Sequence, residues 1–345
     1  MQRPIMNPIF PDASKSKVKL EVPLWKRILN LPDTLIKLLL ADIFFWRSNR
    51  LRIEEGSVIG RVFQATLYRL LFVPLFTVLV VLAMVYLATH PPRPVTTADP
   101  QSMGIYYEKV DFKSVDGTDL EGWLIPILDA QTIIEQKERA LRAKYPAVIL
   151  VHDYGNTRLE MLPIVQSLHE AGYVLFVPTL RGNSTTAAAT TFGIKESGDV
   201  QAAIQLLRKR NGIDTNRIAV LGIGTGANAA LLAAERDRVA ALVLDHPVRD
   251  DDQVVRNYLG PPPPWSHSMN HLCKWSFEIA FRVDAEELDL ERHAVALAAQ
   301  PVLMFDTSSA PNCFRSQGKE EIKQFLARYL GDRPAMPTAG IDMRR

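Results

Sequence analysis

Residues 222 to 226 read Gly-Ile-Gly-Thr-Gly, between an apolar run that starts at Arg217 and an alanine-rich stretch that reaches Leu232. Such a pattern predicts a strand, a sharp turn and a helix. When the turn is G-x-S-x-G, its serine hydroxyl projects above the sheet edge and serves as a nucleophile. Both outer glycines are present here, but the nucleophile position holds Gly224, which has no side chain to attack anything. Two other readings fit the same residues. Gly222, Gly224 and Ala227 match the dinucleotide pattern G-x-G-x-x-G/A, with Asp245 at the end of the next strand in the place of a ribose-binding acid. Alternatively, the glycines simply meet the backbone geometry of a tight strand-to-helix turn.

Bulk properties narrow the choice of chemistry. With 345 residues, 47% of them hydrophobic, the chain can bury a full core. A net charge of +2, with no basic stripe carrying interleaved aromatics, gives no nucleic-acid surface. The two cysteines, Cys273 and Cys313, lack C-x-x-C spacing, so no zinc site follows, and one disulfide is left open. No metal and no cofactor is expected.

The elements that must position any site begin after a long N-terminal segment, residues 1–69. Within it, residues 33–46 form a short apolar stretch with Lys37 and Asp42, read as a helix in the membrane interface or against a soluble partner. Leu70 to Thr89 is 20 residues without a charge. At about 1.5 Å per residue this reaches about 30 Å, the thickness of a bilayer's hydrocarbon, so a single membrane span is expected. Arg50, Arg52, Arg61 and Arg69 precede it, against Arg93 and Lys109 beyond, which places the N-terminus in the cytoplasm and the rest outside. Residues 90–104 are proline-rich and read as a stiff spacer holding the domain off the bilayer.

From Tyr106 onward apolar strand patterns alternate with helical ones, at Tyr107–Phe112, Leu120–Ile125, Ala147–Val151, Val174–Val177, the run before Gly222, Val239–Leu244 and Pro301–Phe305. Alternation of this kind predicts a mostly parallel sheet with helices on both faces. Thr157-x-x-Glu160 reads as a capping box. Residues 248–300, with Pro261 to Trp265, read as a helical cap, and residues 332–345 as a flexible tail.

Six short motifs in order carry a resemblance: Asp116-Gly117-x-x-Leu120-x-Gly122-Trp123-Leu124-x-Pro126, His152-x-x-Gly155, Gly172-Tyr173, Arg181-Gly182-x-Ser184, Glu196-x-x-Asp199 and the turn at Gly224. In these residues 105–331 resembles the α/β-hydrolase superfamily, particularly dienelactone-hydrolase-like and prolyl-peptidase-like serine hydrolases. The resemblance implies an α/β-hydrolase fold, and a triad of serine, histidine and carboxylate. Carried over position by position, the nucleophile falls on Gly224 and the acid on Ala310, and no histidine exists after His293. After Phe305 there is no room for a further strand, helix and histidine loop before the final helix at Ile322, Phe325, Leu326 and Leu330, so the fold is expected to be truncated at its last strand.

The oxyanion loop also departs, since Asp153 replaces the usual glycine; a carboxylate there opposes a developing negative charge unless it is neutralised or turned away. Thr225, Ser184, Cys273, His267 and His271 are the substitutes the sequence offers for the missing groups. The strand order that the resemblance implies places His152, Asp153 and Tyr154 on one side of Gly224 and Thr225, and Asp245 and His246 on the other, and these seven residues form the expected, vestigial pocket. The reading is a membrane-anchored, non-catalytic α/β-hydrolase-fold module that binds a small molecule or protein. The alternatives are an active ester or peptide hydrolase with an unorthodox residue set, and a dinucleotide-binding protein.

Overall fold

The structure, a computed structural model, describes residues 58–92, 98–127, 144–182, 188–260, 266–305 and 311–331. The expected interfacial helix at 33–46, Arg93, Ser184, the proline run before Trp265, Ala310 and the C-terminal tail lie outside these residues. Helix α1 is Val58–Thr89. The chain divides into two compact units between Thr77 and Val78, inside this helix. In the first, the described part is helical, and the Thr77 hydroxyl donates to the Val73 carbonyl at 2.9 Å.

The second unit holds a seven-stranded sheet among the described residues. Its strands are β1 (Glu108–Lys113), β2 (Asp119–Ile125), β3 (Tyr145–Val151), β4 (Val174–Pro178), β5 (Ile213–Ile223), β6 (Ala241–Asp245) and β7 (Val302–Phe305), in the order β1-β2-β4-β3-β5-β6-β7. The β1–β2 and β2–β4 pairs are antiparallel and all others parallel. Helices α2 (Leu162–Glu170), α3 (Glu196–Lys209), α4 (Thr225–Arg236), α5 (Asp251–Val254), α6 (Ser266–Phe281), α7 (Ala294–Ala298) and α8 (Ser316–Leu330) complete it. The chain passes from β7 to α8 with no further strand among the described residues, as the short sequence after Phe305 requires.

Strand β3 is buried along its whole length, which its uninterrupted apolar sequence permits only between two covered faces. Ala147, Ile149 and Val151 join a core with Val200, Ile204 and Leu207 of α3 and the alanines of α4. Val148 and Leu150 face Ile164, Val165 and Leu168 of α2 and Ile322, Leu326 and Leu330 of α8. Under β1 and β2, the Arg181 guanidinium donates to Asp199 (2.6 Å), Asp116 (2.6 Å) and Ser114 (2.9 Å). Arg181 and Asp199 are buried, so this pair bridges the loop after β4 to α3 at low dielectric. Three of the motif residues therefore act as scaffold.

The last turns of α1 belong to the second unit, and they are docked. Val81, Met84, Val85 and Ala88 pack with Phe192 and with Val254, Val255, Leu259, Cys273 and Phe277 of the cap. Thr190 N–H donates to the Thr89 carbonyl at 2.9 Å, and the Tyr154 hydroxyl to the Ala88 carbonyl at 2.6 Å. The helix end is thus already in contact with the domain before the proline-rich segment begins, and Pro100 and Ile105 are buried. Cys273 and Cys313 are both buried and free, in separate clusters, so no disulfide joins them.

Candidate functional site

At the C-terminal end of β5 the backbone turns through Gly224 at φ 55° and ψ −123° into α4. This is a conformation L side chains rarely adopt, and holding a non-glycine residue there costs on the order of 1–3 kcal/mol. The turn is also wedged between its neighbours. A Cβ on Gly226 would stand 2.3 Å from the His152 carbonyl, and one on Gly222 2.4 Å from the Gly226 carbonyl. Gly224 N–H donates to the Asp245 carbonyl at 2.9 Å, tying the turn to the end of β6. The register pairs Val151 with Gly222 and Ile223 with Asp245, so the ends of β3, β5 and β6 lie side by side.

The Asp153 carboxylate fills the space above Gly224. A Cβ built on Gly224 would lie 2.1, 2.2 and 2.5 Å from Oδ1, Cγ and Oδ2 of Asp153. Oδ1 accepts from the Thr225 N–H (2.8 Å), the Tyr154 N–H (2.7 Å) and the Thr225 hydroxyl (3.1 Å). One donor follows the nucleophile position and the other lies in the loop after β3, which are the places from which a hydrolase of this architecture draws its oxyanion hole. In this chain both donors are taken by a carboxyl oxygen of its own. Burial pushes the Asp153 carboxyl up, opposed by these donors and by the nearby His246.

Beneath it, Glu160 accepts from the Asp153 N–H at 2.9 Å and from the Asn156 amide at 2.7 Å. Thr157 does cap the short helical turn that starts at Arg158, accepting from the Leu159 N–H, but Glu160 turns to Asp153 and leaves the capping box unclosed. Burial and the Asp153 carboxylate push the Glu160 carboxyl up to about 8. The His152 ring accepts the Leu180 N–H at Nε2 (3.3 Å), so Nδ1 carries the proton and donates to the Asp153 carbonyl at 2.9 Å. Burial lowers its pKa to about 4, leaving a neutral ring with both nitrogens committed.

On the other flank, buried Asp245 accepts from the Cys313 N–H at 2.7 Å and pairs with His246 Nδ1 at 2.6 Å. With its carboxylate so engaged, Asp245 presents no free oxygen to a ribose. His246 sits at φ 56°, and its Nε2 is buried without a hydrogen-bond partner. Tyr154 projects away from the turn into an aromatic cluster, with ring centroids 5.2 Å from Phe192 and 4.6 Å from Tyr258. Burial raises both tyrosine hydroxyls well above the usual phenol range.

All seven expected pocket residues therefore converge at three adjacent strand ends. Four of them, His152, Asp153, Tyr154 and Thr225, border a small cleft, where His152 is committed to backbone, Tyr154 to aromatic packing and Asp153 to the turn. Cys273 lies apart in the cap core, its thiol pushed up to about 11 by burial. The sequence reading missed Glu160 as a site residue and the Cys313 amide as the anchor of Asp245. The proximity of Glu160 to Asp153, seven residues along a loop, was the signal available for the first.

Two outcomes follow. Gly224→Ala should destabilise by about 2–4 kcal/mol through strain and overlap with Asp153. Asp153→Ala should cost about 1–3 kcal/mol through two orphaned N–H groups. The double variant should lose at least about 1 kcal/mol less than the sum, the coupling expected of residues in contact; strict additivity in denaturant unfolding would show that the carboxylate does not fill the turn. The second outcome concerns pH. A carboxyl held protonated in the folded state up to about 8, but ionised from about 4.5 when unfolded, makes stability fall as pH rises through that range. Between pH 7 and 8 His152 is largely neutral in both states, and the Glu160 contribution should lower wild-type stability by on the order of 1 kcal/mol. Glu160→Gln, which mimics the neutral form, should flatten the melting temperature across that window; an unchanged slope would place the proton elsewhere.

Residues 131–261 match the dienelactone hydrolase family. An uncharacterised protein of Escherichia coli O157:H7, YfhR, is 28% identical over 186 residues, covering 50% of this chain and 59% of that one. The α/β-hydrolase domain-containing protein WAV2 of Arabidopsis thaliana is 30% identical over 155 residues, covering 43% and 44%. The chain thus spans about half the length of the curated relatives it matches. The Pyrococcus furiosus esterase Pf2001 superposes with a TM-score of 0.52 at 20% identity, over 70% of this chain and 98% of that one. Sheet order, the turn at Gly224 and the likeness to this esterase agree on the α/β-hydrolase fold, within which residues 131–261 match the dienelactone hydrolase family.

Proposed function

We propose that this protein is a membrane-tethered hydrolase-fold module that has given up acyl transfer and binds a small molecule or a protein partner. One observation carries the reading: the Asp153 carboxylate stands where a nucleophile's Cβ would be and takes both oxyanion donors. Acyl transfer needs those donors free to hold charge that develops only in the transition state. A fixed negative oxygen on them opposes that charge. The absence of a serine at 224 and of a histidine after 293 adds two independent losses.

The tether is helix α1, which from Phe72 to Thr89 is long and apolar enough to cross a membrane. The excess of arginine before it supports a single span with the N-terminus in the cytoplasm and the hydrolase-fold domain outside. A second reading, a hydrolase with an unorthodox residue set, is favoured by one feature. His246 is held at Nδ1 by buried Asp245 while its Nε2 is unpartnered, the arrangement of a general base and its orienting acid. The dinucleotide reading has no such support, because Asp245 is engaged.

The detergent-solubilised chain should not label with a fluorophosphonate probe, nor hydrolyse activated esters. Gly224→Ser should gain neither property, since its side chain would collide with Asp153, whose carboxyl already occupies the space a serine would need. Stoichiometric labelling of the unmodified protein would overturn the non-catalytic reading, and ester hydrolysis abolished by His246→Ala would establish the second one. For topology, protease added to right-side-out vesicles should digest the domain; full protection would reverse the orientation.

A further inference from the structure

Helix α6 has two apolar faces. One carries Cys273 and Phe277, fully buried against the end of α1 and the rest of the cap. The other carries Leu272, Trp275 and Ile279, which are 41, 62 and 57% exposed. Their spacing of three and four puts them on one stripe of the helix. Lys274 and Glu278 occupy the flank between, paired with Asp251 and with each other. An exposed apolar stripe of this kind, led by a tryptophan, is an unpartnered surface that something must cover.

Helix length identifies the cover. The uncharged run Leu70–Thr89 has 20 residues, about what a bilayer's hydrocarbon requires. Twelve of them, Val78–Thr89, belong to the same compact unit as the domain, and Val81 to Ala88 are docked on the cap. The eight that remain, Leu70–Thr77, reach only about 12 Å, and Arg69 ends the run on the other side. A crossing therefore has to draw the docked turns of α1 to the depth of the lipid, and α6, packed on those turns, is drawn with them. The outer side of the docked turns is itself apolar: Leu79, Leu82 and Leu87 remain 57, 49 and 47% exposed.

We propose that the stripe Leu272, Trp275 and Ile279 of α6 is a membrane-contact surface, seated in the acyl boundary of the bilayer that α1 enters. The proposal rests on the reading of α1 as a span, and deepens it: the domain is sunk against the membrane, with the side chains of α6 and the last turns of α1 forming one lipid-facing surface. Tryptophan suits this depth, since its ring is apolar and its N–H meets the headgroups.

The test uses the full chain reconstituted in vesicles of phosphatidylcholine with phosphatidylglycerol. Ile279→Cys carries an environment-sensitive fluorophore, Glu321→Cys on the exposed face of α8 is the control, and the buried native cysteines stay unlabelled. Expected for Ile279 are a blue-shifted emission, quenching by lipids brominated on their acyl chains, and about threefold less quenching by aqueous iodide than at Glu321, as for a group below the headgroups. Ready quenching by iodide without quenching by brominated lipid would overturn the proposal. Shielding from both would also overturn it, assigning the stripe to a second copy or another protein. Alkaline carbonate extraction of the same vesicles separates the two claims: a chain retained by the membrane with an iodide-accessible Ile279 refutes the proposal and leaves the span, whereas a chain released refutes the span and with it the proposal.

Discussion

The contact on which the rest of this site depends is between one carboxylate and one missing side chain. Asp153 and Gly224 follow different strands, β3 and β5, yet each makes the other tolerable. The glycine leaves the volume that the carboxylate enters, and it takes the positive φ that would strain any other residue. The carboxylate, drawn out of water, is held by the two N–H groups that the turn leaves without other partners. Its charge then propagates. Glu160, accepting the Asp153 N–H, is pushed toward its neutral form by burial and then by the Asp153 carboxylate, and His152 is fixed in one tautomer by the Asp153 carbonyl and the Leu180 amide.

Closure above the turn follows from the same loop. Tyr154 donates its N–H inward to Asp153 and its hydroxyl outward to the Ala88 carbonyl, so a single residue joins the sealed turn to the docked end of α1. Phe192 and Tyr258 pack on its ring, and Glu196 binds the loop that carries Phe192 through the Thr191 and Gly193 amides at 2.7 and 3.0 Å. Where a hydrolase would keep room for substrate, aromatic rings and a helix end are in contact. What remains is a small cleft bordered by Pro91, Thr190, Arg181 and the Asp153–Thr225 pair.

How much of this could be read from the sequence depends on the range of the interaction that sets each feature. Strands and their order were legible, because a buried parallel strand must be apolar throughout, as β3 is, and a half-covered one such as β1 must alternate. The turn was legible because three glycines in five residues meet local steric demands. The convergence of His152, Asp153, Asp245 and His246 followed from the strand order that the family resemblance implied, which the sheet bears out. The carboxylate's position was not legible: an aspartate after a strand caps a turn more often than it fills another residue's volume, and only the packed structure shows which. The docking of α1 was hidden for a related reason. Uniform apolarity tells that a helix leaves water, but lipid and a protein core satisfy it equally, and Val81 to Ala88 carry no mark that separates the two.

Arg181, Asp199 and Asp116 belong to the family pattern but hold the fold rather than the candidate site. Their ion-pair network ties the loop after β4 to α3 and to the β1–β2 turn, none of which touches a reacting atom. Removing one partner would leave a buried charge uncompensated, a cost of about 3–5 kcal/mol that approaches the whole stability of many domains. Replacing a nucleophile by glycine carries no such cost, and at a turn with positive φ it relieves strain. The residues that announce the fold and those that perform its chemistry are thus held by different forces. On the non-catalytic reading proposed for this chain, the second set is lost while the first remains fixed by its own energetics, and the carboxyl of the loop after β3 fills the space above the glycine.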